Sequence, residues 1–392
     1  MKFERFMEAR FGFRAPWVHI VTLYVLLREF RVIRQTLSGT NYRRRLIVSF
    51  GPAAYLESIR EVIQQLISGG WQIILCPEWE TARYPNWNTL NQSHPGAIFL
   101  PNSSRALPLI RSEVFLSSVA GKHRYFPRLA RRVFYFHSLA GLEGFPEGGL
   151  DSYEFFLCAT AQQKRQITDR RRALGLGTEG VLNGGYPRYD VIAERIASET
   201  SPSKTFRTLV YAPTYSGLFP ADVLKRTEAG KLIISEAITS GYYVVFRPHP
   251  LTLEQRKDPL TEWFMTQLDR GLVAGKIDVS VDYFKTYQES DVMVTDMSGS
   301  SVVFGAVFRK PVIFHGTSKE HLDSMIEGWT SVGRWAGDRH LLRELLREPS
   351  WEADSEFKIL QAGIGVSTYV NEIERISKTK GLSSMPGINA LD

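Results

Sequence analysis

The chain has 392 residues, 43% of them hydrophobic and 23% charged. These are the proportions of a globular protein with room for two or three domains, which excludes a disordered chain or a small disulfide-stapled one. Lys and Arg number 48 against 41 Asp and Glu, a formal charge of +7, which favours anionic partners such as phosphates, nucleotides, lipid headgroups or nucleic acid without choosing among them. Cys76 and Cys158 stand far apart in apolar runs, with neither metal-ligand nor redox spacing, and read as buried, inert thiols of a reducing cytosol.

No cleavable signal peptide is evident at the N-terminus. The apolar run Ala15–Leu27 is shorter than the roughly 18–20 residues a bilayer span requires. Arginines bracket it, and Trp17, Ile20, Tyr24 and Leu27 share a helical face. Residues 1–45 therefore read as a basic amphipathic segment that either lies on an anionic membrane surface or docks on the protein's own core.

From Leu46 the pattern is α/β. The run "LIVSF" predicts a short buried strand, broken by Gly51 and Pro52. Tyr55, Ile59, Val62, Ile63, Leu66 and Ile67 then recur at helical spacing until Gly69 and Gly70 stop the helix. "WQIILC", "AIFLP", "VFLSSVA", "RVFYFHS" and "EFFLCAT" follow as strand candidates, apolar on both faces as in a covered parallel sheet. Near residues 198–204 the composition turns polar and the same grammar restarts with "TLVYAPT", "YYVVFRPHP", "KIDVSVD", "DVMVTD" and "PVIFHG". Two Rossmann-like domains facing across a cleft are expected, over 46–200 and 201–375, with 376–392 a loose tail. Ligands of such sheets sit beyond the carboxyl ends of the strands, so the residues after each run are the ones to examine.

In "VVFRPHP", Arg247 and His249 each precede a proline, which holds them extended just past a strand end. "LVYAPTYSG" ends in Thr214, Ser216 and Gly217. "VMVTDMSGSS" runs into Asp296, Ser298, Gly299, Ser300 and Ser301 before an apolar helix. Small residues and hydroxyls at a helix start suit a phosphate, and they equally suit plain N-capping. His137, ending "RVFYFH" and followed by small residues, would face that site from the first domain and suits a general base for an acceptor hydroxyl.

The ordered set "HSLAGLEG", "GGYPRYDVI", "VYAPTYSG", "FRPHP" and "DVMVTDMSGSSVVFGAVF" resembles the CDP-glycerol glycerophosphotransferases of teichoic-acid and capsule synthesis. The resemblance implies a GT-B fold, no cofactor, no metal, and transfer from a cytidine-nucleotide donor to a hydroxyl of a lipid-linked or oligosaccharide acceptor at the cytoplasmic face of the membrane. It makes His137 the base and gives Arg247 and His249 the donor phosphates. It assigns the pyrophosphate to Ser298, Ser300 and Ser301, and substrate contacts near the domain junction to Arg188 and Asp190. The sequence departs from the family pattern at Ser138, at the extra Gly299, at Gly305 in place of an acid, and at Tyr215-Ser216, so the donor pocket need not take CDP-glycerol. Two other readings are weighed: a nucleotide-sugar 2-epimerase on the same fold, and a polyanion-binding protein using Lys122, His123, Arg124, Arg128, Arg131 and Arg132. Nothing else in the chain matches a nucleic-acid module.

Overall fold

The computed structural model describes residues 44–379 except 52, 78–91, 101–106, 108–109, 121–125, 128, 143–144, 146–147, 200–204, 216–222, 255–257, 281, 327, 350–364. Residues 1–43 of the basic N-terminal segment, the last residues of the expected tail, Ser216, Gly217, Lys122, His123, Arg124 and Arg128 lie outside the described residues, while Arg44 and Arg45 open the first strand.

The first sheet has seven parallel strands: β1 (Arg44–Phe50), β2 (Trp71–Pro77), β3 (Ile98–Phe99), β4 (Val114–Ser117), β5 (Arg131–Tyr135), β6 (Phe155–Cys158) and β7 (Val181–Asn183), ordered β3-β2-β1-β4-β5-β6-β7. The second has six, also parallel: β8 (Thr208–Tyr211), β9 (Tyr243–Phe246), β10 (Gly275–Ile277), β11 (Val292–Thr295), β12 (Val312–His315) and β13 (Gly333–Ala336), ordered β10-β9-β8-β11-β12-β13. In each sheet the order reverses beside the first strand, between β1 and β4 and between β8 and β11, and that switch opens a crevice at the carboxyl edge.

The central strands are buried on both faces, as in "VFLS" and "VMVT", the pattern of a parallel sheet covered on both sides. The long helix expected after β1 is two helices, Ala53–Glu57 and Arg60–Ser68. The Ser58 hydroxyl, donating to the Tyr55 carbonyl at 2.6 Å, competes with the helical ladder at the break. Gly70 closes the second helix with φ +81°, a conformation that favours glycine. Cys76 and Cys158 are free and buried, and burial pushes the Cys158 thiol up to about 12.

One part of the domain reading is corrected. The helix Gly365–Lys378 puts Val366, Tyr369, Ile373 and Ile376 into the core that holds Leu46, Val48, Leu75 and Leu116 of the first sheet. Residues 365–378 therefore return to the first domain, and the helix runs on through the expected start of the tail. Arg131 and Arg132 of the basic cluster bind Glu154, at 2.9 Å and 3.6 Å, so this part of the cluster ties β5 to the neighbouring strand. Among the described residues no helix is long and apolar enough to cross a membrane.

Candidate active site

The carboxyl edges of the two sheets face one cavity of about 300 Å³, lined by both domains. His137 and Ser138 enter it after β5, Thr214 and Tyr215 after β8, Arg247 and His249 after β9, and Ser298, Gly299 and Ser300 after β11. Tyr186 and Arg188 come from the start of the helix Pro187–Ser198, with Tyr283 and Tyr287 opposite. Of the residues read from sequence as site residues, His137, Arg188, Thr214, Arg247, His249, Ser298, Gly299 and Ser300 meet here.

His137 stacks flat on Tyr55, ring centroids 3.4 Å apart at 14°. Burial, and next the nearby His249, lower its pKa to about 3, while the Ser118 backbone acts the other way. The ring is neutral at neutral pH, and its Nδ1 has no hydrogen-bond partner. The loop carrying it is fixed by Gln163: the side-chain amide donates to the carbonyls of Ser138 and Ala140 at 2.8 and 2.6 Å. Gln163 in turn is set by its capping box with Thr160 at the start of the helix Ala161–Ala173.

Burial also lowers His249, to about 4, with Asp296 opposing the shift and Arg247 and Arg226 adding to it. The backbone N–H of Leu251 donates to His249 Nδ1 at 3.2 Å. An amide N–H can only donate, so Nδ1 is the bare nitrogen and Nε2 carries the proton. His249 is thus a neutral hydrogen-bond donor. Arg247, expected at the donor phosphates, lines the cavity and is also engaged within the protein. Its guanidinium binds Asp278 at 2.5 Å, Ser280 Oγ at 3.2 Å and the Ser280 carbonyl at 2.8 Å, fixing the loop that carries Tyr283.

Asp296 lies beneath the cavity wall. Its carboxylate accepts from the Thr214 and Met297 backbone N–H groups at 2.9 and 2.7 Å and pairs with Arg226. It ties the β8 and β11 ends together at the switch, and Thr214 Oγ1 is left buried without a partner. Ser298 Oγ contacts Ser300 Oγ at 2.9 Å. Ser301 is fully buried and its hydroxyl donates to the Ser298 carbonyl at 2.7 Å, so it serves the turn. The helix here has one α-turn, Ser300–Val302, before a π-helical stretch over Val303–Val307.

Two departures from the family pattern meet in space. A Cβ on Gly299 would stand 2.2 Å from Ser138 Oγ and 3.2 Å from the Ala140 nitrogen, so the glycine lets the two domains touch at the cavity rim. Gly305 is packed shut: a Cβ there would fall 2.3 Å from Val332 Cγ1, leaving no space for an acid.

The "GYPRYD" motif divides. Arg188, 6% exposed, crosses the cleft to Asp282 at 2.9 Å and lies 4.0 Å over the Tyr283 ring, and its Nε is unpartnered. Asp190 does not line the cavity. Its carboxylate accepts from the Val366 N–H at 3.1 Å and so anchors the start of the returning helix, a correction to its reading as a substrate contact. Sequence reading missed Tyr55, Gln163, Arg226 and Asp282. Tyr55 was visible as a residue just after a strand end, but its place in an apolar helical stripe assigned it to the core.

Two facing parallel sheets with reversed strand order and a shared cavity at their carboxyl edges define a GT-B fold. Residues 149–324 match the family described as CDP-Glycerol:Poly(glycerophosphate) glycerophosphotransferase. The resemblance carried by the motifs therefore stands, and it supports a transferase. Among solved structures the chain is similar to the wall teichoic acid polymerase TagF, with 15% identity, 93% of this chain and 90% of that chain covered, and a TM-score of 0.54. It is also similar to the UDP-GlcNAc 2-epimerase of Methanocaldococcus jannaschii in complex with UDP-GlcNAc and UDP, with 13% identity, 84% and 99% covered, and a TM-score of 0.58. A third is the Staphylococcus aureus MnaA–UDP co-structure, with 12% identity, 85% and 96% covered, and a TM-score of 0.56. At these identities the structures establish the fold. No curated protein matches the sequence.

Proposed function

We propose that the chain transfers a phosphopolyol or sugar unit from a nucleotide-activated donor, a cytidine nucleotide by resemblance, to a hydroxyl of a lipid-linked or glycan acceptor in cell-surface polymer synthesis. The observation that carries this reading is the meeting of two neutral histidines from opposite domains in one cavity, His137 and His249, the second with its proton on Nε2. His137 takes the proton of the acceptor hydroxyl as the oxygen attacks the donor's phosphorus or anomeric carbon. The bond to the nucleotide phosphate breaks and its electron pair leaves with the phosphate. To His249 Nε2–H and the hydroxyls of Ser298 and Ser300, which line the cavity, we assign the charge that develops there. Arg188, with a buried, unpartnered Nε, adds a cation to the same wall. By the same resemblance the reaction needs no divalent ion, and the protein works at the inner face of the membrane.

The test is turnover of CDP-polyols and CMP-sugars in EDTA, with a hydroxyl acceptor, by the wild type and by His137→Ala. The variant should lose transfer by about 10²–10⁴-fold while its donor affinity stays unchanged. A parallel loss of donor affinity refutes the assignment of His137 as base. The epimerase reading is separated in the same assay, since an epimerase releases a free sugar without any acceptor.

A further inference from the structure

Tyr55 comes from the first helix after β1 and meets His137 face to face in the cavity wall. Its backbone is unusually well anchored. The Tyr55 carbonyl accepts from the Ser58 N–H at 3.2 Å, the Ser58 hydroxyl at 2.6 Å and the Tyr135 hydroxyl at 3.3 Å. The backbone that carries this ring is therefore tied to β5 and to the helix break. On the other side, the Tyr186 hydroxyl reaches the His137 carbonyl at 3.4 Å. The titratable group that acts on the imidazole across the cleft is His249, and the two arginines of the wall, Arg188 and Arg247, are held by Asp282 and Asp278.

These surroundings create a difficulty for a base. Burial and His249 both disfavour a charged His137, yet proton abstraction must make an imidazolium. An aromatic face stabilises a cation and does little for the neutral ring, so its contribution grows as the reaction proceeds. We propose that Tyr55 is a positioning residue for the transfer reaction: its ring fixes the His137 imidazole in the cavity wall and stabilises the imidazolium formed as the acceptor hydroxyl gives up its proton. In that step the hydroxyl O–H bond breaks, an N–H bond forms on His137, and the oxygen's electrons go to the donor's electrophilic centre. This inference rests on His137 being the base of the proposed transferase.

The experiment compares Tyr55→Phe, which keeps the ring face, with Tyr55→Leu, which keeps an apolar cover without one. Two readouts are taken on the full chain: kcat and donor KM, and the titration of the His137 imidazole by NMR. Tyr55→Phe should stay within about twofold of wild type, whereas Tyr55→Leu should lose about tenfold in kcat at unchanged KM, with the imidazole titrating at lower pH. Equal losses in both variants with an unmoved titration would overturn the proposal, as would wild-type kcat in Tyr55→Leu. If the wild type turns over no activated donor, the transferase reading itself fails, and the titration alone then decides whether the ring supports the imidazolium.

Discussion

At the residue scale, the chemistry lies in side chains held just past strand ends. The two prolines of "RPHP" do set Arg247 and His249 at the cavity, but with different tasks: the arginine fixes the Asp278–Ser280 loop and the imidazole is left as a donor. Both histidines make stability depend on pH. Their folded pKa values of about 3 and about 4 lie below the ordinary 6.5, so below pH 6.5 the unfolded chain binds protons that the folded chain refuses. Stability should be intact above that value and fall as pH drops toward 4. His249→Asn should flatten the decline of Tm between pH 7 and 5, and an unchanged slope would show that other groups set it. Gly299→Ala should impair transfer, because its methyl would sit 2.2 Å from Ser138 Oγ. Adding Ser138→Gly should recover much of the loss, and failure of the double variant to recover would place the damage elsewhere. The sequence marks both positions as departures; that they touch is knowable only from the docking of two sheets.

At the element scale, eleven of the thirteen strands were legible as strand candidates, most of them because a strand buried on both faces is apolar throughout. The two that were not are β7, of three residues, and β13, "GRWA", which carries an exposed arginine and a glycine. In β13 the glycine is required, since a Cβ on Gly333 would lie 2.5 Å from the Val312 carbonyl oxygen. The returning helix was missed for another reason: an amphipathic stripe announces a buried face without saying which sheet buries it. Its docking is built by the "GYPRYD" region. A Cβ on Gly184 would meet Tyr369 at 2.8 Å, and one on Gly365 would meet the Pro187 nitrogen at 2.7 Å. Tyr369→Ala, at a fully buried position, should cost about 3–5 kcal/mol, read by denaturant unfolding; a cost under about 1 kcal/mol would mean the helix is not needed to close the first core. Gln163→Ala should uncouple the His137 loop, lowering kcat more than donor affinity. Equal effects on both would mean that the glutamine supports the whole cleft.

At the scale of the whole molecule, buried residues of both domains join in one hydrophobic cluster, Phe136 and Leu139 of the first with Met297 and Val303 of the second. Asp282 adds a charged clasp: it binds Arg188 at 2.9 Å and Arg195 at 2.7 Å, both on the helix that begins with the cavity residues. Asp282→Asn leaves Arg188 buried without its counter-charge, a situation that costs about 3–5 kcal/mol when a buried pair is broken; a discount applies because Asp282 itself is 44% exposed. The variant should therefore open the cleft, seen as increased hydrogen exchange in Tyr283 and its neighbours, and unchanged exchange there would contradict the clasp. The two-domain plan and the cleft were legible because the α/β grammar runs twice, while the partners of Asp282 were not, since charge pairs across a cleft leave no pattern in sequence. The central claim, a cleft that binds an activated nucleotide, is tested most directly by calorimetric titration of the full chain with CMP, CDP, UDP, GDP and ADP in EDTA. The account predicts that cytidine nucleotides bind and the others bind more weakly; heat from none of the five would contradict it.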